Sequence, residues 1–483
     1  MANPSQGPWA IVFGFLLTLL QPSAEAQPPS GPNILFIYTD DQAAWAVGSS
    51  GNRDVHTPNM DRLFAEGATL TNCFVTTPVC SPSRVALLAS RYGTEAGITD
   101  WINPRGGQYQ RKEDTLGLDP ATPTWARRLQ EAGYATTLIG KWHLGTLDKY
   151  HPTRFGYDRF IGFRPGGRQV KDPLLEIDGQ DRQVEGLTVD LLTDYAIRTL
   201  RERDRDKPFA LSLHYRAPHA PWLPVADEDM TPYEGRPMTI PNPDFPDLDT
   251  ERVERLMREY LASVTGIDRN LGRLLGVIDE LGLRQNTVVI FTSDHGYNIG
   301  HHGLLHKGNG GWITNEKRGI PYHDPRLTQP NMYDTSLRVP CAVRWPGVIK
   351  PGTRVERVIT NLDWYPTLLA MADLRPRATS GIHGKNFLPL LQGRSIDWDD
   401  AFYGEYSIHH YTQAHLRMFR TPQAKLVRDF SGKYADTLYD LREDPGETRN
   451  RYGDPAYAAV QAELTDRLQK VMRSLGDPLI REQ

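Results

Sequence analysis

Two adjacent carboxylates, Asp40-Asp41, follow the apolar run Ile34-Leu35-Phe36-Ile37-Tyr38 and Thr39. At a strand end both would stay ionised only with a cation or strong donors between them. A lone Asp-Asp pair is also what a helix cap or turn carries. Asp294-His295, closing the run Val288-Val289-Ile290-Phe291, supplies a matching half-site. Three carboxylates with one imidazole suit a hard divalent cation, calcium or magnesium, whereas zinc would want several imidazoles or thiolates. Calcium is the expectation.

Cys80 opens the run Cys80-Ser81-Pro82-Ser83-Arg84, ahead of the apolar stretch Val85 to Ala89. Pro82 suits a first helical turn, which sets Cys80 beside a helix N-terminus. Exposed amides and the helix dipole favour an oxyanion there, and Arg84 adds a fixed charge with several donors. A single Cys without such surroundings is a small buried hydrophobe. Lys141-Trp142-His143 follows the run Ala135 to Ile139, and His219 lies in Pro218-His219-Ala220-Pro221 after the run Phe209 to Leu213. Lys307 lies in a loop, Gly296 to Asn309, with His301, His302 and His306. Those three histidines read as loop or substrate contacts, because a second metal would want further spaced carboxylates or cysteines.

Residues so far apart need a scaffold that gathers them. The first half alternates short apolar runs with amphipathic helical stretches, the pattern of an α/β fold on a mostly parallel sheet. Ligands in such sheets bind beyond the carboxyl ends of the strands, so the four charged strand ends above would meet in one crevice. Thr57-Pro58 and Thr122-Pro123 open helices that stop at Gly67 and Gly133, and a long helical pattern runs from Glu251 to Leu281 before Gly282. Past about residue 395 the runs His415 to Arg420, Lys425 to Arg428 and Thr437 to Asp440 predict a small antiparallel sheet. Val460, Leu464, Leu468, Met472 and Leu475 then mark an amphipathic helix over Ala456 to Leu475.

The chain has 483 residues and a net charge of -4 with the two signs interspersed, so no basic field collects nucleic acid. Its length exceeds one core and predicts a large domain carrying a smaller one. The apolar stretch Trp9 to Leu20 is too short to span a bilayer and precedes the small-residue site Ala24-Glu25-Ala26. Residues 1–26 therefore read as a signal peptide, 27–394 as the catalytic domain and 395–483 as a C-terminal antiparallel-sheet and helix subdomain. A secreted or periplasmic location, with no membrane span after signal removal, follows. With only Cys73, Cys80 and Cys341, at most one disulfide can form, so this is not a disulfide scaffold.

The segment Cys80-Ser81-Pro82-Ser83-Arg84 resembles the Cys-x-Pro-Ser-Arg signature of the type I sulfatases of the alkaline phosphatase superfamily. Gly140-Lys141-Trp142-His143-Leu144-Gly145 looks like the second signature, and the order of Asp40-Asp41, His219, Asp294-His295 and Lys307 follows the family. The resemblance implies an alkaline-phosphatase-like fold and a formylglycine made from Cys80 by a separate maturation enzyme. It also implies one calcium held by Asp40, Asp41, residue 80, Asp294 and His295, although many members carry Asn at the position of His295. One hydroxyl of the aldehyde hydrate would attack sulfur, with Lys141 and Lys307 on the sulfuryl oxygens and Arg84 orienting the hydrate. His219 would assist the departing alcohol, and His143 would take the proton of the second hydroxyl as sulfate leaves. The expected substrate is a sulfated carbohydrate rather than a steroid sulfate, because the segment Gly296 to Asn331 is polar and no membrane-inserting hairpin is present. The alternatives are a phosphodiesterase or phosphonate monoester hydrolase of the same superfamily, and an inactive sulfated-glycan-binding protein.

Overall fold

The computed structural model describes Met1 and residues 31–108, 110–321, 324–378 and 381–480. The signal-peptide reading of residues 1–26 lies outside the described residues, Met1 apart. Ten strands form the main sheet, in the order Thr353–Val355, Ala68–Leu70, Ala342–Arg344, Thr287–Ser293, Asn33–Thr39, Phe209–His214, Ala135–Lys141, Arg159–Phe163, Leu174–Ile177 and Gln180–Gln183. From Thr287–Ser293 to Arg159–Phe163 every neighbour is parallel. Antiparallel pairs appear on both flanks, so the sheet is mixed with a parallel centre.

The central strand shows why an unbroken apolar run was the correct signal. Ile34, Phe36 and Tyr38 enter the core on one face, while Leu35 and Ile37 enter the core on the other. Successive side chains of a strand point to opposite faces, so a strand covered on both faces must be apolar throughout. The helix Thr250–Glu280 covers the second face with its apolar stripe, and its N-terminus is capped by the Asp249 side chain, which accepts from the Arg252 amide at 3.1 Å. The helix Trp125–Glu131 is capped by Thr124, whose hydroxyl oxygen accepts from the Arg127 amide at 3.2 Å, and begins one residue past the Thr124 start that Thr122-Pro123 predicts. The helix Pro58–Glu66 starts where Thr57-Pro58 announced it, without a side-chain cap from Thr57.

The C-terminal region forms the expected antiparallel sheet with one strand more than the sequence suggested. Phe402–Ile408 pairs with Ala414–Arg420, which pairs with Ala424–Asp429 and then Thr437–Asp440. The helix Ala458–Ser474 lays Leu464, Leu468 and Met472 on Phe419, Leu426 and Leu438. The segment Gly296 to Asn331 is more than the long loop expected of it. It carries a small antiparallel sheet of Asn298–Ile299, Leu304–His306 and Gly311–Trp312. Two- and three-residue strands leave too little alternation to be read from sequence. Cys73, Cys80 and Cys341 are all buried free thiols.

Candidate active site

Strand register makes the site. Tyr38 lies level with Thr292 on one side and His214 on the other, and His214 is level with Gly140 in the next strand. Chain leaving these four neighbouring ends therefore emerges at one height. Asp40 and Asp41 follow Thr39, Asp294 and His295 follow Ser293, and Lys141 is the last residue of its strand. Backbone bonds tie the ends together: the Asp294 amide donates to Thr39 O at 3.1 Å and the Asp40 amide to Ala217 O at 3.2 Å. Asp41 and His143 both sit at positive φ, 71° and 61°, a region costly for non-glycine residues and concentrated at functional turns.

The helix Cys80–Ala89 points its first residue into this cluster, and all ten of its residues are buried. Ser81 fixes its end: its hydroxyl donates to His143 O at 2.9 Å and accepts from the Ile102 amide at 3.0 Å. The Ser83 hydroxyl donates to Asp294 O, and Arg84 bonds Asp294 Oδ2 through Nη2 at 2.8 Å and Nε at 3.2 Å. Cys80 Sγ lies 3.2 Å from Lys307 Nζ, 3.4 Å from His295 Nε2 and 3.7 Å from Asp40 Oδ1. Lys141 Nζ donates to Asp40 Oδ2 at 2.6 Å, and Lys307 Nζ to Asp41 Oδ1. His295 Nε2 is 3.2 Å from Asp41 Oδ1 and 3.3 Å from Asp294 Oδ1.

The cluster meets the requirements of a hard cation. Asp40, Cys80, Asp294 and His295 each offer a ligand atom within 4.8 Å of the others, and Asp40, Asp41, Cys80 and His219 form an overlapping group. Burial would raise Asp40, but Lys141, then His219 and Arg84, overcome it and hold the carboxyl well below its ordinary range. Asp294 goes the other way: burial and the charge of Asp40 outweigh His295 and Arg84 and raise its carboxyl. The Asp294 carboxyl is thus raised by burial beside an ionised neighbour despite its Arg84 partner, and a divalent cation at the cluster would favour its ionised form. Burial likewise opposes ionisation of the Cys80 thiol, yet Lys141 and Lys307 bring it well below the ordinary thiol range. Position 80 therefore stabilises a negative charge.

Two histidines face the same space. His143 Nε2 sits 2.9 Å from Ile102 O, which can only accept, so Nε2 carries the proton and Nδ1 keeps a free lone pair; Nδ1 is buried without a partner. Burial, then the charge of Lys141, lowers His143. His219 Nδ1 donates to Ala220 O at 2.7 Å, which leaves Nε2 as its second titrating atom, and burial lowers this histidine too. Of the loop histidines, His306 lines the cavity, whereas His301 stacks on Trp45 and His302 on Tyr333. None of the three joins a candidate metal cluster among the described residues.

Above this floor opens a cavity of about 530 Å³. Asp41, Cys80, His143, His219 and Lys307 reach into it, while Trp101, Asn103, Arg105, Asn309 and Tyr411 line its wall. Sequence reasoning did not identify Trp101, Asn103, Arg105 or Tyr411 as site residues. The signal that could have found the first three is length, since the stretch from Gly97 to Thr124 has no periodic pattern and long aperiodic connections usually carry function. Tyr411 comes from the turn between the strands Phe402–Ile408 and Ala414–Arg420, far away in sequence.

That turn is fastened to the wall by buried charge. Asp100 accepts from the backbone amides of Trp101, His409 and His410 and from the Tyr406 hydroxyl, and Glu113 meets His409 Nε2 at 2.7 Å and His410 Nε2 at 3.3 Å. Asp100, His409 and His410 have metal-ligand types, but these bonds already use both oxygens of Asp100, so the trio is a structural clasp. Burial opposes both ions of the pair, yet the histidine bonds bring Glu113 down to about 2 from 4.5, and Glu113 with Asp100 raises His409 above 6.5. The depressed Glu113 contributes stability above its ordinary pKa and loses it as pH falls. The raised His409 contributes below its ordinary pKa and loses it as pH rises through the folded value. The two overlap from about pH 4.5 to 6.5. His409→Gln is accordingly expected to lower the urea midpoint more at about pH 5.5 than at about pH 8.5. An equal loss at both would remove the ion pair from the account.

Comparison with known proteins identifies the family. The profile of the Sulfatase family matches residues 32–374, and that of the N-sulphoglucosamine sulphohydrolase C-terminal region matches residues 322–474. An N-acetylglucosamine-6-O-sulfatase of Bacteroides thetaiotaomicron is 28% identical over 92% of this chain and 87% of its own length. The steryl-sulfatase of Mus musculus is 30% identical over 91% of this chain and 81% of its own length. A structure solved with its substrate D-glucosamine-2-N,6-O-disulfate superposes with a TM-score of 0.79 at 25% identity, covering 94% of this chain and 100% of that one. With the fold and a family profile spanning most of its length in agreement, the chain belongs to the sulfatase family and is a sulfuric ester hydrolase.

Proposed function

We propose that this sulfatase removes a sulfate ester from a carbohydrate, using a formylglycine made from Cys80 by a separate maturation enzyme and one calcium ion held by Asp40, Asp41, residue 80, Asp294 and His295. The observation that carries the reading is Cys80 at the floor of a cavity of about 530 Å³, with Lys307 Nζ 3.2 Å from its sulfur. When present, the cation supplies Lewis-acid polarisation of a sulfuryl oxygen, and the aldehyde hydrate supplies a nucleophilic hydroxyl with a second hydroxyl that permits release of sulfate. A plain Ser or Cys lacks that second hydroxyl and would be left esterified.

The chain's own residues do the rest. Lys141 and Lys307 neutralise charge on the sulfuryl oxygens. Arg84, doubly bonded to Asp294, holds that carboxylate in place and orients residue 80. His143, with its lone pair on Nδ1, takes the proton whose loss expels sulfate. In its doubly protonated form, which the nearby charges of Asp41 and Asp40 favour, His219 gives the Nε2 proton to the departing alcohol, with Lys307 assisting. The carbohydrate reading draws support from a wall that combines Trp101 with Asn103, Arg105 and Asn309, an aromatic face with polar groups, as a pyranose requires. Relatives active on N-acetylglucosamine 6-sulfate and on ulvan point the same way. Among the described residues no helix is long and apolar enough to cross a membrane. The reading keeps export, to the periplasm or outside the cell, as its location.

Leaving-group chemistry tests the assignment. His219→Ala should slow hydrolysis of a 6-O-sulfated N-acetylhexosamine by about 10²- to 10⁴-fold but barely affect an activated aryl sulfate, whose phenolate leaves without a proton. Lys141→Ala should impair both substrates, because it removes charge stabilisation whatever leaves. Equal losses on the two substrates for His219→Ala would make His219 a sulfate-binding group. Turnover of aryl sulfate and steroid sulfate but of no sugar sulfate would overturn the carbohydrate reading.

A further inference from the structure

We propose that Arg216 is a positioning residue of the reaction: it holds the carbonyl oxygen that fixes the His219 ring, and so keeps Nε2 of that histidine aimed at the departing alcohol. The inference rests on the reading of His219 as the general acid and names what makes that acid effective.

Arg216 follows the strand Phe209–His214 and is 4% exposed. Burying a guanidinium is unfavourable unless its donors are met. Here they run to four main-chain carbonyls instead of to a carboxylate. Nε donates to Arg168 O at 2.9 Å, Nη2 to Ala220 O at 2.9 Å, and Nη1 to Pro221 O at 2.9 Å and to His219 O. Burial lowers the guanidinium to about 10, and the charges of Asp40 and Asp41 oppose that. Three of the four carbonyls are consecutive, and their residues, His219, Ala220 and Pro221, line the cavity. The fourth comes just after Gly166 and Gly167, which line it too. One planar cation therefore ties two stretches of the wall together from behind.

The contact that matters for the chemistry is shared. Ala220 O accepts from Arg216 Nη2 and also from His219 Nδ1, the latter at 2.7 Å. The partner of one ring nitrogen decides how the ring is turned and what the other nitrogen can do. The His219 amide donates to Arg216 O at 3.1 Å, and Trp222 Nε1 donates to Pro218 O at 2.7 Å. Those two bonds hold the turn, whereas the Arg216 bond holds the oxygen that orients the ring. An ammonium is a point donor and cannot span the carbonyls of residue 168 and residues 219–221 at once, so lysine is no substitute. An apolar side chain of similar volume would leave the carbonyls unpaired.

The test follows the ratio of kcat/KM on a 6-O-sulfated N-acetylhexosamine to that on an activated aryl sulfate, measured on one preparation so that any inactive fraction cancels. Arg216→Lys should lower that ratio by about ten- to a hundredfold, the loss expected of a misplaced reacting group, through kcat rather than KM on the sugar sulfate. Arg216→Gln should lower it likewise. In His219→Ala protein, whose ratio should already be low, adding Arg216→Lys should leave the ratio where it is, since an absent ring has no position to lose. A residue that merely braces the fold would scale both substrates together in either background. An unchanged ratio in either Arg216 variant, or a further fall in the double variant, overturns the inference while leaving His219 as the acid. If neither variant yields protein active on aryl sulfate, Arg216 belongs to the framework and the inference falls as well. Equal losses on the two substrates for His219→Ala overturn the acid reading itself and the inference with it.

Discussion

Cys80→Ala is expected to abolish turnover, with kcat falling by roughly 10⁴-fold or more, as when a nucleophile is removed from a site whose members act together. The expectation follows from where the side chain lies. Cys80 is 2% exposed, too buried for a surface reagent, and its sulfur lies between Lys307, His295 and Asp40 rather than in an apolar pocket. Cys80→Ser should likewise give no multiple turnover, since a lone hydroxyl can be sulfated but not released. The decisive measurement pairs activity with the mass of the Cys80 peptide in the same preparation. Active protein should carry the aldehyde in proportion to its specific activity. Full activity with an unmodified thiol would defeat the assignment.

Removal of the divalent cation should have an effect of similar size. Asp40, Asp41 and Asp294 are at most 1% exposed, and the lysines that hold Asp40 and Asp41 are the groups assigned to the sulfuryl oxygens. Without the ion those lysines cannot both neutralise carboxylates and bind sulfate, so chelation should take activity to background and calcium should restore it. A second readout is independent of turnover. Calcium at a hundred times its Kd should stabilise the fold by about 2.7 kcal/mol, visible as a rise in Tm. Asp294→Asn should remove both responses. Stoichiometric zinc in the active protein, with no response to calcium, would contradict the calcium assignment.

The floor of the site was far more legible in the sequence than its wall, for a physical reason. Strands buried on both faces must be apolar, so Ile34 to Tyr38 and Val288 to Phe291 are conspicuous, and the polar residues after them mark the sheet's carboxyl edge. Parallel packing then brings Asp40 and Asp294 together with no need to know the loops between them. The wall obeys no such period. Trp101 and Arg105 lie on an irregular connection ordered by Asn103, Glu113 and a turn some three hundred residues downstream. The missed strand Phe402–Ile408 is buried along its whole length yet contains Gly404 and Glu405, which break its apolar run. The structure explains both: Gly404 lies against Met418 and Met332, and Glu405 accepts from the Thr94 amide at 2.7 Å and the Thr94 hydroxyl at 2.8 Å. Their types answer tertiary demands that local pattern cannot express.

The clasp joining Asp100 and Glu113 to His409 and His410 gives the molecule a modular seam. Cys80, Lys141, Asp294 and their neighbours are anchored to the sheet, whereas Tyr411 and, through Gln110 and Asn103, Arg105 are anchored to a hairpin turn of the smaller sheet. Insertions or exchanges in that turn reshape what the cavity admits without shifting the strand ends beneath it. A few residues near position 411 can thus alter what the cavity admits while the strand ends under it stay in place.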